Sequence, residues 1–267
     1  MSVDEEAALF EARFRTDATI PLADGTTIVL EQSDGESSPG ETEQATVWTG
    51  GRALTAALQD HNLLPIDWTK IASVIELGSG TGLCGIMAAK LGAQEVVLTD
   101  LPPLVPLLQR NAARNRVANV TRAQCLDWRE PNLPIGLPVP DIILGSDITV
   151  FIQQNEALAI AMAKLCAPHT RILLAAQDRG DATFLLQELS KRFHCERVPY
   201  SPGSAALGDE YGGGKGKTVE MLILSMTRRD RGADDQEAEE ATRRQDEIDA
   251  ACRGDIAAMK RRLRAET

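Results

Sequence analysis

Glu76 and Asp100 bracket a glycine loop, Gly78-Ser79-Gly80-Thr81-Gly82, that follows the apolar run Val74-Ile75 and precedes the apolar stretch Leu83 to Ala89. A strand that breaks into glycines and then into a helix is how a parallel α/β sheet cradles a nucleotide. The glycines turn the chain tightly and admit a ligand close to the backbone, and the unpaired N–H groups of the helix face it. Glu95 to Thr99 reads as a second strand ending in Asp100, about twenty residues past the loop, where a carboxylate takes both hydroxyls of a ribose.

The glycines are spaced G-x-G-x-G behind an acidic residue, not the G-x-G-x-x-G of dinucleotide sites. That departure favours an adenosine ligand without a pyrophosphate, and S-adenosylmethionine is the commonest such cofactor. Gly212-Gly213-Gly214-Lys215-Gly216-Lys217 lacks the Gly-Lys-Ser/Thr order of a phosphate loop and reads as a flexible loop at the mouth of the site.

Residues with this chemistry need a frame, and the chain supplies a regular strand and helix beat. Strands are predicted near Ser73 to Leu77, Glu95 to Thr99, Val120 to Cys125, Asp141 to Ser146, Arg171 to Ala176, Phe193 to Val198 and Val219 to Met226. Helices are predicted over Leu83 to Leu91, Pro103 to Arg116, Gln153 to Cys166 and Asp181 to Lys191. Such alternation implies right-handed crossovers and a sheet covered on both faces. The last two predicted strands are joined by Ser201 to Lys217, which lacks helical periodicity, so an antiparallel hairpin is expected at one edge. The fold class is therefore α/β, a Rossmann-like seven-stranded sheet, mostly parallel. Arg13 to Leu30 adds a β-hairpin around the turn dipeptide Asp24-Gly25. Ser33 to Gln44 reads as a loop, and an amphipathic helix follows Thr46 to Arg52 and ends near Leu64-Pro65.

Three segments follow: residues 1–45 with the hairpin, a domain over 46–227, and a tail over 228–267. The tail's charges alternate and its large apolar residues are few up to about Asp246, which predicts disorder. Ile248, Cys252, Ile256, Met259 and Leu263 then fall at helical spacing.

At 267 residues with 43% apolar content, the chain can bury one α/β core. Its net charge of −11 argues against a nucleic-acid or anionic-membrane binder and suits basic, lysine-bearing partners. Cys84, Cys125, Cys166, Cys195 and Cys252 are scattered singly, as in reduced cytosolic proteins, and with only three histidines no metal site is expected. No secretory leader or membrane span is expected.

Val47-Trp48 before a helix, Glu76 to Gly82, Thr99-Asp100, Leu126-Asp127-Trp128 and Gly145-Ser146-Asp147 together resemble the seven-β-strand lysine methyltransferases known as methyltransferase family 16. The likeness runs from about Thr46 to about Phe151, with weaker support to Met226. It implies S-adenosylmethionine as cofactor. Gly78, Ser79 and Gly80 would hold the methionine and ribose part, and Glu76 the positively charged end. Asp100 would take the ribose, Trp128 would lie against adenine with Asp127 near its amino group, and Trp48 would close over the cofactor. Ser146 is a further cofactor-binding candidate at the end of the fourth strand, and Asp147 is the catalytic candidate that helps hold the target lysine. Trp68 is expected to pack, and Arg52 is an exposed-arginine candidate. In the family an acid-x-x-Tyr motif is common after the fourth strand; here Val150 stands where tyrosine is expected and Phe151 comes one residue late.

The function expected is S-adenosylmethionine-dependent methylation of lysine on a folded cytosolic protein such as a chaperone, an elongation factor or another ATPase, by a cytoplasmic or nuclear monomer. Methyl transfer needs a neutral amine placed in line, so positioning is expected to supply most of the rate. A small-molecule or protein-histidine methyltransferase, and a cofactor-binding module without catalysis, are the alternatives.

Overall fold

The computed structural model describes residues 17–32, 45–130, 132–148, 154–177, 187–198 and 221–228. The chain divides into a unit from Met1 to Arg228 and another from Arg229 to Thr267, and all described residues lie in the first. The loop Ser33 to Gln44, most of the helix expected over Asp181 to Lys191, the Gly212 to Lys217 segment, Val150, Phe151 and the tail lie outside the described residues. Residues 187–190 of that expected helix are helical.

The predicted hairpin is present. β1 (Ala18–Pro21) and β2 (Thr27–Leu30) pair antiparallel, with Ile20 opposite Ile28. Asp24 closes the turn by accepting the N–H and hydroxyl of Thr26 at 2.9 and 2.7 Å, while Gly25 takes φ +81°. Alternate residues Ile20, Ile28 and Leu30 enter the core.

The helix α1 spans Thr49–Gln59, ending well before the expected Leu64. Asp60 stops it: its carboxylate accepts the N–H groups of Asn62 and Leu63 at 2.9 and 3.3 Å, a local turn that competes with the next helical bonds. Trp68 is buried and donates its indole N–H to the Leu58 carbonyl at 3.3 Å, so it packs and also satisfies an end group of α1. Arg52, expected to be exposed, is only partly so, because the small residues around it let α1 lie close to the sheet.

The main sheet runs through β3 (Ser73–Leu77), β4 (Glu95–Asp100), β5 (Thr121–Cys125), β6 (Ile142–Ser146), β7 (Arg171–Gln177), β8 (Phe193–Val198) and β9 (Met221–Arg228), in the spatial order β5-β4-β3-β6-β7-β9-β8. The first five strands are parallel and β9 is antiparallel to both β7 and β8, the antiparallel edge hairpin that the sequence predicts. α2 (Leu83–Leu91), α3 (Val105–Arg114) and α4 (Asn155–Leu165) make the crossovers. α3 is preceded by a tighter 3-10 turn over Pro102–Leu104, since Pro102, Pro103 and Pro106 offer no N–H to an α-helical ladder. Alternate strand residues part to two cores. Val74, Leu98 and Leu144 meet the hairpin, α1 and α2 on one face, and Ile75, Val97 and Ile143 meet α4 on the other. Because the chain leaves β3 toward β4 and returns to its other side at β6, the strand order reverses at β3. The crevice at the carboxyl ends of β3, β4 and β6 is where an open α/β sheet binds its ligand.

Candidate functional site

The loop after β3 is held from β4. The Ser79 N–H donates to the Thr99 carbonyl at 2.9 Å, and the Ser79 hydroxyl accepts the Thr99 N–H at 3.0 Å and donates to the Glu76 carbonyl at 3.1 Å. Ser79, expected among the cofactor contacts, is buried and its hydroxyl stitches the loop to the sheet. The peptides of Gly78 and Gly80 then form the cradle, at φ +57° and +53°. A Cβ on Gly80 would meet nothing within 4 Å, whereas one on Gly78 would lie 2.6 Å from Ile148 and 3.3 Å from the Trp128 ring. Gly80 is thus required by its left-handed backbone and Gly78 also by the side chains closing over it.

Asp100 ends β4 with its carboxylate against this loop. One oxygen accepts the Gly80 N–H at 2.7 Å and the other the Leu101 N–H at 2.7 Å. A carboxylate has about four acceptor positions, so it can hold the loop and still receive a pair of vicinal hydroxyls.

Glu76, expected at the cofactor's charged end, lies beneath the helix that follows the loop. It shares a strand face with Val74 beneath α2, is 2% exposed, and accepts the Gly85 N–H at 3.0 Å in the first turn of that helix. Burial pushes its carboxyl up to about 7, against the opposing pull of the Gly85, Ser79 and Cys84 hydrogen bonds. Its ordinary value lies near 4.5, so between those two pH values the folded chain holds a proton that the unfolded chain has released. Stability contributed at this site is therefore present at low pH and lost as pH rises through about 7, a change of a few kcal/mol. Melting temperatures of the wild type and Glu76→Gln, compared at pH 5 and pH 8, are expected to diverge in favour of the variant by several degrees as pH rises. Parallel pH dependences would show that Glu76 is not buried as a weak acid.

Trp128 covers Gly78 with its ring and donates its indole N–H to Gln154 at 3.1 Å. Asp127, beside it, is gripped by Arg129: the guanidinium Nε reaches both carboxylate oxygens at 2.8 and 3.1 Å, and Nη2 donates at 2.6 Å. These hydrogen bonds hold the Asp127 carboxyl below its usual range. Any adenine amino group reaching Asp127 meets an ionised, oriented carboxylate.

At the end of β6 the chain turns through Asp147, which takes a left-handed φ of +53° while its N–H donates to Ala175 on β7 at 2.8 Å. Its carboxylate lies on the first turn of α1 and accepts the Gly50 N–H at 2.6 Å. A Cβ on Gly50 would fall 2.6 Å from that carboxylate, so the approach exists only because the residue is glycine. Trp48 immediately precedes α1 and is 44% exposed, on the same lip as Asp147. Ser146 lies behind, its hydroxyl accepting a weak bond from the Cys84 thiol at 3.8 Å. Burial pushes that thiol well above its usual range.

At the carboxyl ends of the strands the fold brings Gly78 against Trp128 and Ile148, Gly80 against Asp100, and Gly50 of α1 against Asp147, with Glu76 and Ser79 buried. Five residues were not singled out by sequence as parts of the site. The Gly50-Gly51 pair opening a helix was a signal of close approach; Cys84, Ile148 and Gln154 gave none. A flat base, a ribose diol and a main chain approached closely are matched by Trp128, Asp100 and Gly80, so the donor set fits S-adenosylmethionine. Among the described residues no group of three or more His, Cys, Asp or Glu could hold a metal ion.

A model of the lysine methyltransferase family matches residues 23–193. EEF1A lysine methyltransferase 3 of Xenopus tropicalis is 32% identical over 160 residues, which are 58% of this chain and 68% of that protein. Protein N-lysine methyltransferase METTL21A of Danio rerio is 39% identical over 134 residues, 48% of this chain and 60% of that protein. The chain therefore spans between 60% and 68% of the length of these two curated relatives. Among solved structures, a protein described as a predicted O-methyltransferase from Agrobacterium tumefaciens aligns with 68% of this chain and 82% of its own, with a TM-score of 0.50 and 11% identity, a likeness of fold.

Proposed function

The chain belongs to the lysine methyltransferase family, and from that membership we infer that it is an S-adenosylmethionine-dependent protein-lysine N-methyltransferase. The observation that carries the cofactor assignment is Asp100, whose two carboxylate oxygens are fixed by the Gly80 and Leu101 N–H groups beside the open face of the loop. S-adenosylmethionine supplies a methyl group already activated on a sulfonium, so the protein has mainly to bind, orient and exclude water. Asp100 takes the ribose diol, Trp128 and Ile148 give the adenine an apolar wall, and Trp48 covers the cofactor from the α1 side. Asp147 faces the incoming lysine. Its carboxylate, oriented by Gly50, draws an ammonium group to the lip of the crevice, and the lysine must be desolvated there to give the neutral amine that reacts.

The acceptor is a lysine on a folded protein. Relatives named for EEF1A favour an elongation factor, with chaperones and other ATPases as further candidates, and the charge of −11 favours a substrate surface rich in lysine over nucleic acid or an anionic membrane. Residues 46–227 form the transferase domain in this reading, with the hairpin segment before it and the charged tail after it. The single, scattered cysteines favour a reducing compartment, the cytoplasm or nucleus, and the chain is taken to act there as a monomer.

Incubating the protein with methyl-labelled S-adenosylmethionine and a cell lysate, followed by mass spectrometry, tests the proposal. Label on lysine of a protein band is the expected result. Label confined to small molecules or to histidine would replace the substrate class and leave the cofactor assignment in place.

A further inference from the structure

Two asparagines one helical turn apart, Asn111 on α3 and Asn115 capping its C-terminal end, treat β2 as a neighbouring strand would. Asn115 accepts the Val29 N–H at 3.0 Å and donates to the Val29 carbonyl at 2.8 Å. Asn111 accepts the Glu31 N–H at 2.8 Å and donates to the Glu31 carbonyl at 2.9 Å. Val29 of β2 and Glu31, the residue just past it, are alternate positions facing one side, so the amides replace a missing strand partner there. The two asparagines differ in what else they hold. Asn115 donates again to Asn111 of its own helix at 2.9 Å. Asn111 donates instead to the Thr81 carbonyl at 2.9 Å, the peptide between Gly80 and Gly82 of the cofactor loop.

Asn111 is fully buried, and its carbonyl and both amide hydrogens are engaged. Thr81 lies between two glycines in the left-handed region, where the backbone has the most freedom to lose. Asp100 fixes this loop at the Gly80 N–H, and Asn111 fixes it two peptides further on, at the Thr81 carbonyl. Beyond Glu31, the Gln32 side chain accepts the Val47 N–H at 2.9 Å, one residue before Trp48. The Asn111 hydrogen bonds, the short chain step from Glu31 to Gln32 and the Gln32–Val47 hydrogen bond thus join the loop to the segment that carries Trp48, and Asn111 is where this path meets the loop.

We propose that Asn111 is a positioning residue of the cofactor site, setting the glycine loop against the exit of β2 and the Trp48 segment, so that cofactor binding and docking of the N-terminal hairpin stabilise each other. The inference rests on the loop being the cofactor site. Coupling of this kind is reciprocal: whatever affinity the docked hairpin adds for the ligand, the ligand returns as protection of the hairpin.

Hydrogen exchange on the wild type, with and without S-adenosylhomocysteine, reads the second half. The Val29 and Glu31 N–H groups are expected to slow about tenfold or more relative to those of β8 at the far edge of the sheet. Titration calorimetry on two variants reads the first half. Asn111→Ala is expected to raise the dissociation constant for S-adenosylhomocysteine tenfold or more. Asn115→Ala, which releases the hairpin but not the loop, is expected to lower the melting temperature and change that constant less than about threefold. Equal affinity losses in both variants, or exchange at Val29 and Glu31 that ignores the ligand, would overturn the proposal. The exchange result decides it if Asn111→Ala does not fold. A wild type that fails to bind S-adenosylhomocysteine would remove the cofactor reading itself and this inference with it.

Discussion

Replacing Asp100 by Ala is expected to raise the dissociation constant for S-adenosylmethionine at least about 100-fold, because two hydrogen bonds to a charged acceptor are worth about 1.5 to 3 kcal/mol each and 1.4 kcal/mol is a factor of ten. The loss has two sources. The ribose diol loses its acceptors, and the Gly80 and Leu101 N–H groups lose the partners that fix the loop. Asp100→Asn separates them in part, since the two N–H groups bond to different carboxylate oxygens and the amide puts an NH2 donor in place of one of them. It is expected to fall between Ala and wild type if loop anchoring matters, and to match Ala if the charge on the diol is what counts. Calorimetric titration checks both, with circular dichroism confirming the fold. An Asp100→Ala protein that binds within about threefold of wild type would exclude Asp100 from the cofactor site.

The second large effect is expected at Asp147, and the informative variant is Asn rather than Ala. Asp147 has a left-handed backbone, which Asn adopts readily and which costs Ala about 1–2 kcal/mol. An Asn carbonyl can also still accept the Gly50 N–H. Asp147→Asn therefore keeps the end of β6 and the start of α1 in place while removing the charge. Its kcat/KM for the protein substrate is expected to fall about 100-fold, the scale of a charge-assisted contact made at the acceptor amine. Affinity for S-adenosylhomocysteine is expected to stay within about threefold of wild type. Asp147→Asn with full activity would mean that the carboxylate serves only to anchor α1; loss of cofactor affinity would move the residue from the lysine side of the crevice to the cofactor side.

Some of this architecture was legible before any coordinates. Strand and helix positions in the core followed from apolar runs and their breaks, and the antiparallel ending followed from the absence of helical periodicity before Val219. Helix ends were less legible. α1 stops at Asp60 because a side chain there outbids the helix for two N–H groups, and no periodicity records that competition. Glu76 and Ser79 were located but not their orientation. Their family positions suggest ligand contact, yet strand alternation turns Glu76 under α2, and the Ser79 hydroxyl meets Thr99 once β4 lies alongside β3.

The sequence by itself determined what is local in the chain: the strand, glycine loop and helix, the acid closing the next strand, and the Asp-Trp pair. Each depends on residue type and short spacing, which set backbone freedom, period and functional group without reference to the rest of the molecule. The tertiary structure alone decided which distant groups meet. Gly50 touches Asp147, Trp128 touches Gln154, and Asn111 bridges Glu31 and Thr81, each across a separation that only the strand order closes. It also decided the protonation of Glu76, because a carboxyl's affinity for its proton depends on depth and neighbours, and both exist only after the sheet and its helices have packed.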